Sequence, residues 1–235
     1  MTNTMLFGIL FTIMIYVVSY QLHKWLKLSF INPFLIAVVL GIVTLKVLNI
    51  SYEDYMVGGE SIKFFLGPVT VLLAVPLYKQ YQIIKKNFLF FLIGSLFGTL
   101  VSFILVVLSS YAFNITPILA LSSLPKSITA PMALEVSSMI GGDLSLTMMM
   151  VSFTGLTGAA FGKIIIKLMK IKNPLAIGLA LGTITHVIGT SVAIEIGEEE
   201  GAISSAAIGI AGITTVLILP TLIQIASLLV PSLFT

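Results

Sequence analysis

Long apolar runs constrain the fold of this chain more than any other feature. Six runs are long enough to cross the hydrocarbon core of a bilayer, which takes about 20 apolar residues in a helix. They lie near residues 5–22, 32–50, 62–79, 88–111, 145–168 and 203–230. With 58% hydrophobic and 9% charged residues, the chain needs a lipid environment. We predict an all-α polytopic membrane protein with about six full transmembrane helices.

Two further runs, 116–140 and 174–197, are long enough to cross but contain proline, glycine, hydroxyl groups and charge. Lys126 lies in the first run, and a cation near the bilayer centre costs about 2.5 to 3.5 kcal/mol. Such a charge usually faces a cavity and serves a function. Since proline also interrupts helices, we predict two broken or re-entrant segments. Their predicted breaks are Pro125, Pro131, Gly182 and Gly189.

The lysines indicate how the chain crosses the membrane. They cluster at Lys24 and Lys27, at Lys79, Lys85 and Lys86, and at Lys163, Lys167, Lys170 and Lys172. Because cytoplasmic loops carry the lysine excess, we expect the N-terminus outside. A hairpin over 116–140, with both ends on the outer face, keeps the last cluster cytoplasmic, whereas a kinked full crossing does not. The sequence leaves open whether 174–197 re-enters or crosses.

An internal match relates the two broken segments. Residues 121–136 align without gaps to residues 181–196, so that Lys126 meets His186 and Glu135 meets Glu195. Two hairpins entering from opposite faces would form an inverted repeat, as in secondary transporters. A competing match pairs residues 32–41 with 173–182 in one shared orientation. We treat 1–235 as a single membrane domain, with N-terminal helices in 1–111 and both broken segments in 112–235.

The polar residues of the two segments form the candidate binding site. The chain has no arginine, so a carboxylate would be held by a lysine point charge, hydroxyl groups and backbone donors. The candidate substrate-binding residues are Ser122, Ser123, Lys126, Ser127, Thr129, Thr185, His186, Gly189, Thr190 and Ser191. His186, Glu135 and Glu195 are candidates for proton coupling, and the two glutamates are also candidate counter-ions for Lys126 and His186. For His186, a substrate contact or a simple hydrogen bond to a carbonyl are the alternatives.

Other functional classes fit less well. Cysteine is absent and no histidine or carboxylate set has ligand spacing, so we expect no metal and no cofactor. The basic residues lie mostly in loops, where topology explains them better than nucleic acid does. We expect no enzymatic activity, because no Gly-x-Ser-x-Gly motif occurs. A serine and lysine dyad at Lys126 is the remaining enzymatic interpretation.

A set of motifs is distributed over essentially the whole chain. It comprises Leu121 to Ser137, Ile140-Gly141-Gly142, Asn173-Pro174, Gly178 to Thr183, His186, Gly189-Thr190, Tyr52, Tyr55, Gly58-Gly59 and Ala74 to Lys79. In this combination the chain resembles the LrgB/CidB family. Ile177 is a departure, since relatives often have arginine there, and this puts in doubt a cytoplasmic anion contact at that position.

The resemblance implies a multi-pass protein of the bacterial inner (cytoplasmic) membrane, often paired with a small LrgA/CidA-like partner. It also implies two competing functions. One is transport of small carboxylates such as pyruvate or glycolate; the other is antiholin-like regulation of murein hydrolase export and autolysis. Our main hypothesis is a secondary transporter of small monocarboxylates coupled to protons. We expect it to contact lipid and to form a homodimer.

Overall fold

The computed structural model describes residues 4–26, 33–72 and 74–229, and these residues form helices and short connections. The helices are α1 (Met5–Leu26), α2 (Pro33–Val47), α3 (Tyr52–Lys63), α4 (Leu66–Leu72), α5 (Ala74–Lys79), α6 (Tyr81–Lys86), α7 (Phe88–Ala112), α8 (Pro117–Ser123), α9 (Ala130–Ile140), α10 (Leu144–Leu168), α11 (Pro174–Ile196) and α12 (Glu198–Leu229). Within the described ranges, five helices (α1, α7, α10, α11 and α12) are long and apolar enough to span a membrane. The all-helical, membrane-spanning character predicted from the sequence is therefore confirmed.

The apolar run 62–79 does not form the single helix predicted from its length. A turn at Phe64 and Phe65 interrupts it between α3 and α4. Pro68 lies in the first turn of α4, directly after this interruption, and proline removes one hydrogen-bond donor from the helical ladder. Length and hydropathy alone therefore overestimated the continuity of this run.

The last helix begins earlier than its apolar run. α12 starts at Glu198, and its first turn holds three acidic residues. Carboxylates stabilise the positive end of a helix dipole, so the acidic cluster extends the helix instead of preceding it.

The chain forms two compact units, Met1–Val69 and Thr70–Thr235. In the first unit, α1 packs against α2 and α3. Gly8 of α1 and Gly58 of α3 approach so closely that a β-carbon on either would meet the backbone of the other. Thr12 Oγ1 and Tyr55 Oη, 3.0 Å apart, share a hydrogen bond beside this crossing.

The second unit is organised around two long helices that run in the same direction. Near their starts, Phe91 of α7 packs with Ile203 of α12. Farther along, Phe103 of α7 packs with Leu219 of α12. Residues nearer the C-terminal end of α7 thus pack with residues nearer the C-terminal end of α12, so the two helices are parallel neighbours.

α10 runs antiparallel to the first half of α11. Gly162 faces Leu181, and Gly158, one turn earlier in α10, faces Thr185, one turn later in α11. The glycines allow the side chains of α11 to lie directly against the α10 backbone.

Between α7 and α10 the chain reverses direction through α8, a turn and α9. The backbone N–H of Asp143 donates to Ser122 Oγ at 2.8 Å, and Thr147 Oγ1 donates to the Ser122 carbonyl at 3.0 Å. A straight helix would separate residues 122 and 143 by about 31 Å. The chain therefore returns to the level of Ser122 after passing Lys126.

α11 also reverses, at His186. This residue has φ 43° and ψ −137°, and it is the non-helical position between two helical halves. Ile177 precedes the break and belongs to a buried cluster, and Ile196, which follows the break, packs against the same cluster. In a straight helix these residues would be about 28 Å apart, so the two halves fold back on each other.

Candidate functional site

Lys126 is placed at the middle of the second unit by its contact with α7. Its amine donates to Ser102 Oγ at 2.8 Å. Ser102 lies about 21 Å along α7 from Phe88 and about 15 Å before Ala112, at 1.5 Å per residue. The amine is therefore at mid-depth of a 25-residue apolar helix, where a cation is costly unless it serves a function.

The backbone beside Lys126 offers donors for an anion. Thr129 is the N-cap residue of α9, and Pro131 occupies the first turn. The first N–H groups of a helix, here those of Ala130 and Met132, lack partners within the helix. The helix dipole favours negative charge at the same end. A half-helix of 11 residues thus begins within four residues of the amine.

Thr129 adds a hydroxyl group that bonds to none of the described residues. Its side chain is 3% exposed, and Oγ1 has no hydrogen-bond partner among the described residues. Leaving a buried hydroxyl unpaired costs about 1 to 3 kcal/mol. A bound ligand oxygen would satisfy it.

The serines around Lys126 have different roles. Ser127 Oγ lies 3.2 Å from Ser102 Oγ, so it belongs to the same polar cluster as the amine. Ser122 and Ser123 donate to the carbonyls of Ile118 and Leu119, each at 2.6 Å. These two hydroxyls therefore bond to backbone carbonyls one turn earlier in the chain. Ser122 also stabilises the chain reversal, because it accepts the hydrogen bond from the Asp143 N–H.

His186 occupies the second break and contacts the backbone of α10. Its ring is 5% exposed, and Nε2 lies 3.1 Å from the Val151 carbonyl. The side chain of Val151 packs with Leu124 and Ile128 of the first break. A single residue of α10 thus touches both broken segments.

The other predicted residues of the second break mostly stabilise it. Thr185 Oγ1 donates to the Leu181 carbonyl at 2.7 Å. Thr190 Oγ1 donates to the His186 carbonyl at 3.1 Å and lies 2.7 Å from Ser204 Oγ of α12. Ser191 is exposed and donates to Val187 at 3.4 Å.

The two predicted glycine breaks lie in helical backbone on either side of His186. At Gly189 a β-carbon would collide with the Thr185 side chain and approach the Leu181 carbonyl within 2.9 Å. At Gly182 it would meet Ser204 and Ala207 of α12. Both glycines allow close packing, while the sharp dihedral change falls on the histidine.

The two carboxylates lie on the outside of the fold. Glu135 is exposed on α9. Glu195, with a side chain 70% exposed, is 3.9 Å from Lys163 Nζ. The described ion pairs are this one and the pair between Lys63 and Glu60, so the counter-ion predicted for His186 is paired elsewhere. About 13.5 Å of helix follows His186 before Glu195 is reached, which carries the carboxylate to the lysine-rich end.

Sequence reasoning missed the contribution of α7. Ser95, Thr99 and Ser102 recur at helical spacing on its inner face, and Thr99 Oγ1 lies 3.1 Å from Thr215 Oγ1 of α12. Ser95 is fully buried, and its hydroxyl has no partner among the described residues. The sequence feature that could have revealed this face is the spacing of the three hydroxyl residues, at positions i, i+4 and i+7 of an otherwise apolar run.

Among the described residues, no three histidine, aspartate or glutamate side chains are close enough to share a metal ion. The chemistry available at the breaks is that of an amine, hydroxyl groups, backbone N–H groups and an imidazole. This set can bind a small anion and move a proton.

Comparison with known proteins identifies relatives along nearly the whole chain. The LrgB-like family matches residues 12–225. A protein from Bacillus cereus (strain B4264) named antiholin-like protein LrgB is 39% identical over 220 residues, which cover 93% of this chain and 96% of the relative. A protein of the same name from Bacillus anthracis (strain A0248) matches with the same identity and coverage. No solved structure matches the chain.

Proposed function

Since the chain belongs to the LrgB-like family, we propose that it is a secondary transporter of small monocarboxylate anions that bind at Lys126. The observation that carries this proposal is the position of the Lys126 amine. It lies at mid-depth of α7, close in sequence to the N-terminus of α9 and to the unpaired hydroxyl of Thr129. A half-buried cation at membrane depth, without an ion pair among the described residues, favours an anionic visitor.

The chemistry of the donors favours a small carboxylate. One carboxylate oxygen would accept from Lys126 Nζ and the other from Thr129 Oγ1 and the first N–H groups of α9. Charge-assisted bonds of this kind are about twice as strong as neutral ones. With no arginine in the chain, a bidentate fork is lacking, and one lysine matches one carboxylate. Pyruvate and glycolate are of this class.

In the proposed membrane arrangement, the segments 116–140 and 174–197 are re-entrant hairpins from opposite faces. The first leaves from the end of α7 and returns to the start of α10; the second leaves from the end of α10 and returns to the start of α12. Both breaks lie close to Val151, which shares a buried cluster with the first and a hydrogen bond with the second. This is an inverted repeat with broken helices at the midplane, the plan of many secondary transporters.

We place the lysine-rich end of α10 in the cytoplasm of a bacterium and the N-terminus of the chain outside. The protein would then be a multi-pass component of the inner membrane. We propose that it acts as a homodimer, alone or with a small LrgA/CidA-like membrane partner.

Proton coupling is part of the proposal, and His186 is its main candidate. Histidine changes charge near neutral pH when unperturbed, and this ring contacts the same α10 residue that packs against the Lys126 turn. Protonation of His186 and binding of an anion at Lys126 would thus both act on the part of α10 around Val151. Glu135 and Glu195 are also candidates, but they rank below His186 because both side chains are exposed on the outside of the fold.

Uptake into proteoliposomes tests the function. Purified protein is reconstituted, and entry of labelled pyruvate, glycolate and lactate is measured with and without an inward proton gradient. We expect saturable uptake of at least one acid and faster uptake with the gradient. Absence of uptake of all three by protein of native helicity would refute the transporter proposal.

An antiholin-like regulator of murein hydrolase export and autolysis is the second candidate, favoured by the names of the relatives. It would act through association with a small holin-like partner and needs no solute path. In that case Lys126→Gln would leave autolysis control unchanged in a deletion strain. A transporter whose flux controls autolysis predicts that the same variant fails to complement.

A further inference from the structure

A cavity of about 450 Å³ lies at the lysine-rich end of the second unit, between the end of α10 and both arms of α11. Its volume is within the range of small-molecule sites, which is about 300 to 1,000 Å³. The lining has two parts. The basic part comprises Lys163, Lys167, Lys170 and Lys172, and the apolar part comprises Ile166, Ile171, Ile177 and Ile196.

The charge of the lining is strongly positive. Among the described residues, Glu195 is the one acidic residue that lines the cavity, against four lysines. It lies 3.9 Å from Lys163, with exposed fractions of 47% for the lysine and 70% for the glutamate side chain. Such an exposed pair is weak, and the other three amines have no ion pair among the described residues. An anion at the rim would find several free donors.

The floor of the cavity has the opposite character. Ile166 and Ile177 belong to a buried cluster with Leu181, and Ile196 packs against it. A water-soluble anion gains nothing from isoleucine side chains, whereas a hydrocarbon chain gains about 25 cal/mol for each Å² of apolar surface removed from water. The ligand must therefore be amphipathic.

We propose that this cavity is a binding site for an anionic phospholipid, with the phosphate on the lysines and an acyl chain on the isoleucines. Basic pockets at the membrane surface bind anionic head groups in this way. The site is separate from Lys126, and its occupation does not depend on the transport proposal.

The position of the cavity gives the lipid a structural effect. Ile177 lies before the break at His186 and Ile196 lies after it. A lipid that contacts both residues holds the two arms of α11 together. It would stabilise the hairpin against opening, as any ligand specific for the folded arrangement does.

Native mass spectrometry of the full chain in detergent provides the test. The probes are phosphatidylglycerol, phosphatidylcholine of the same acyl chains, and inorganic phosphate. The variant Lys163→Gln/Lys167→Gln/Lys170→Gln is compared with Lys79→Gln/Lys85→Gln/Lys86→Gln, whose lysines are exposed but do not line the cavity.

We expect tighter binding of phosphatidylglycerol than of phosphatidylcholine and no retention of inorganic phosphate. The cavity variant should bind phosphatidylglycerol at least about tenfold more weakly, since each lysine near an anionic lipid contributes to the attraction. The control variant should bind like the unmodified protein. Equal binding of the two lipids, equal loss in both variants, or retention of inorganic phosphate in place of lipid would overturn the proposal.

A second measurement keeps every lysine in place. The single tryptophan, Trp25, is replaced by phenylalanine, and Ile196→Trp introduces a fluorophore into the cavity. Phosphatidylglycerol with brominated acyl chains should quench this fluorescence more than brominated phosphatidylcholine at the same mole fraction. Equal quenching by both lipids contradicts a selective site.

Discussion

The hydrogen bond between Lys126 and Ser102 connects a half-buried charge to a neutral hydroxyl, the one bond of this amine among the described residues. One such bond compensates only part of the loss of hydration that an ammonium group suffers away from water. The amine is therefore destabilising in the unliganded protein, and its stabilising partner would be the transported anion. Replacement of Lys126 should therefore affect stability and transport in opposite directions.

The variant Lys126→Met tests that separation. We expect the free energy of unfolding to be unchanged or raised by about 1 kcal/mol, because an apolar side chain of similar length replaces a half-buried charge. Carboxylate uptake should be abolished. The measurements are thermal unfolding in detergent and uptake in proteoliposomes. A variant that loses stability and retains uptake would contradict the assigned role.

Thr129 provides a second test at the residue scale. Because Oγ1 has no partner among the described residues, Thr129→Val removes an unpaired buried hydroxyl and should leave the melting temperature unchanged or raise it. The KM for the carboxylate should rise about tenfold, which corresponds to the loss of one hydrogen bond to a charged group. Thr129→Ser should restore it.

Thr99→Val is the matched control for Thr129→Val, since it removes a hydroxyl that bonds to Thr215 within the protein. It should lower stability by about 1 kcal/mol and leave KM unchanged. The opposite pattern, with a KM effect only at Thr99, would place the anion elsewhere.

The sequence alone identified the titratable residues of the two breaks, but it did not identify the residues that contact them. Lys126 and His186 were identifiable because each interrupts an apolar run, and both lie at the turns of the chain. Ser102 was not identifiable as the acceptor for Lys126. A serine within a helix commonly bonds to its own backbone, so only the fold shows which one meets the amine.

Among the elements, α11 depends most on local packing. Its halves fold back at a residue with positive φ, a conformation that is uncommon outside glycine. The bonds from Thr185 to Leu181 and from Thr190 to His186 stabilise the two sides of the break. Gly189 is needed because the Thr185 side chain occupies the space of its missing β-carbon.

Replacement of Gly189 by alanine should therefore disturb the hairpin. The added methyl group displaces the Thr185 side chain, and we expect a loss of about 1 to 3 kcal/mol in the free energy of unfolding, the usual range for overpacking. Chemical unfolding followed by circular dichroism measures it. Gly67→Ala is the control, since a β-carbon there meets nothing within 4 Å; an equal loss at both positions would argue against the packing of α11.

The sequence predicted the broken elements better than some continuous ones. Helix interruption at 116–140 and 174–197 followed from proline, glycine and charge. The run 62–79 satisfied the length criterion as well as α7 did, but a turn at Phe64 and Phe65, just before Pro68, interrupts it. The sharp bend of α11 at His186, and not at either glycine, depends on contacts with α10 that no local pattern contains.

For the whole molecule, the proposed topology predicts which chain segments share a face of the membrane. The chain has no cysteine, so single cysteines can be labelled with an impermeant maleimide in intact cells. Phe113→Cys and Leu144→Cys should react from outside, because both ends of the first hairpin lie there. Lys172→Cys and Glu198→Cys should react only after permeabilisation. Labelling of Phe113→Cys and Leu144→Cys from opposite sides would contradict the hairpin.

The central claim for the whole molecule is that an anion reaches the Lys126 amine during transport. The most direct measurement is the initial rate of labelled pyruvate or glycolate uptake by proteoliposomes containing the unmodified protein, Lys126→Gln or the control Lys85→Gln. The account predicts saturable uptake for the unmodified protein and the control, and background rates for Lys126→Gln at equal amounts of folded protein. Uptake by Lys126→Gln at the rate of the unmodified protein would contradict it.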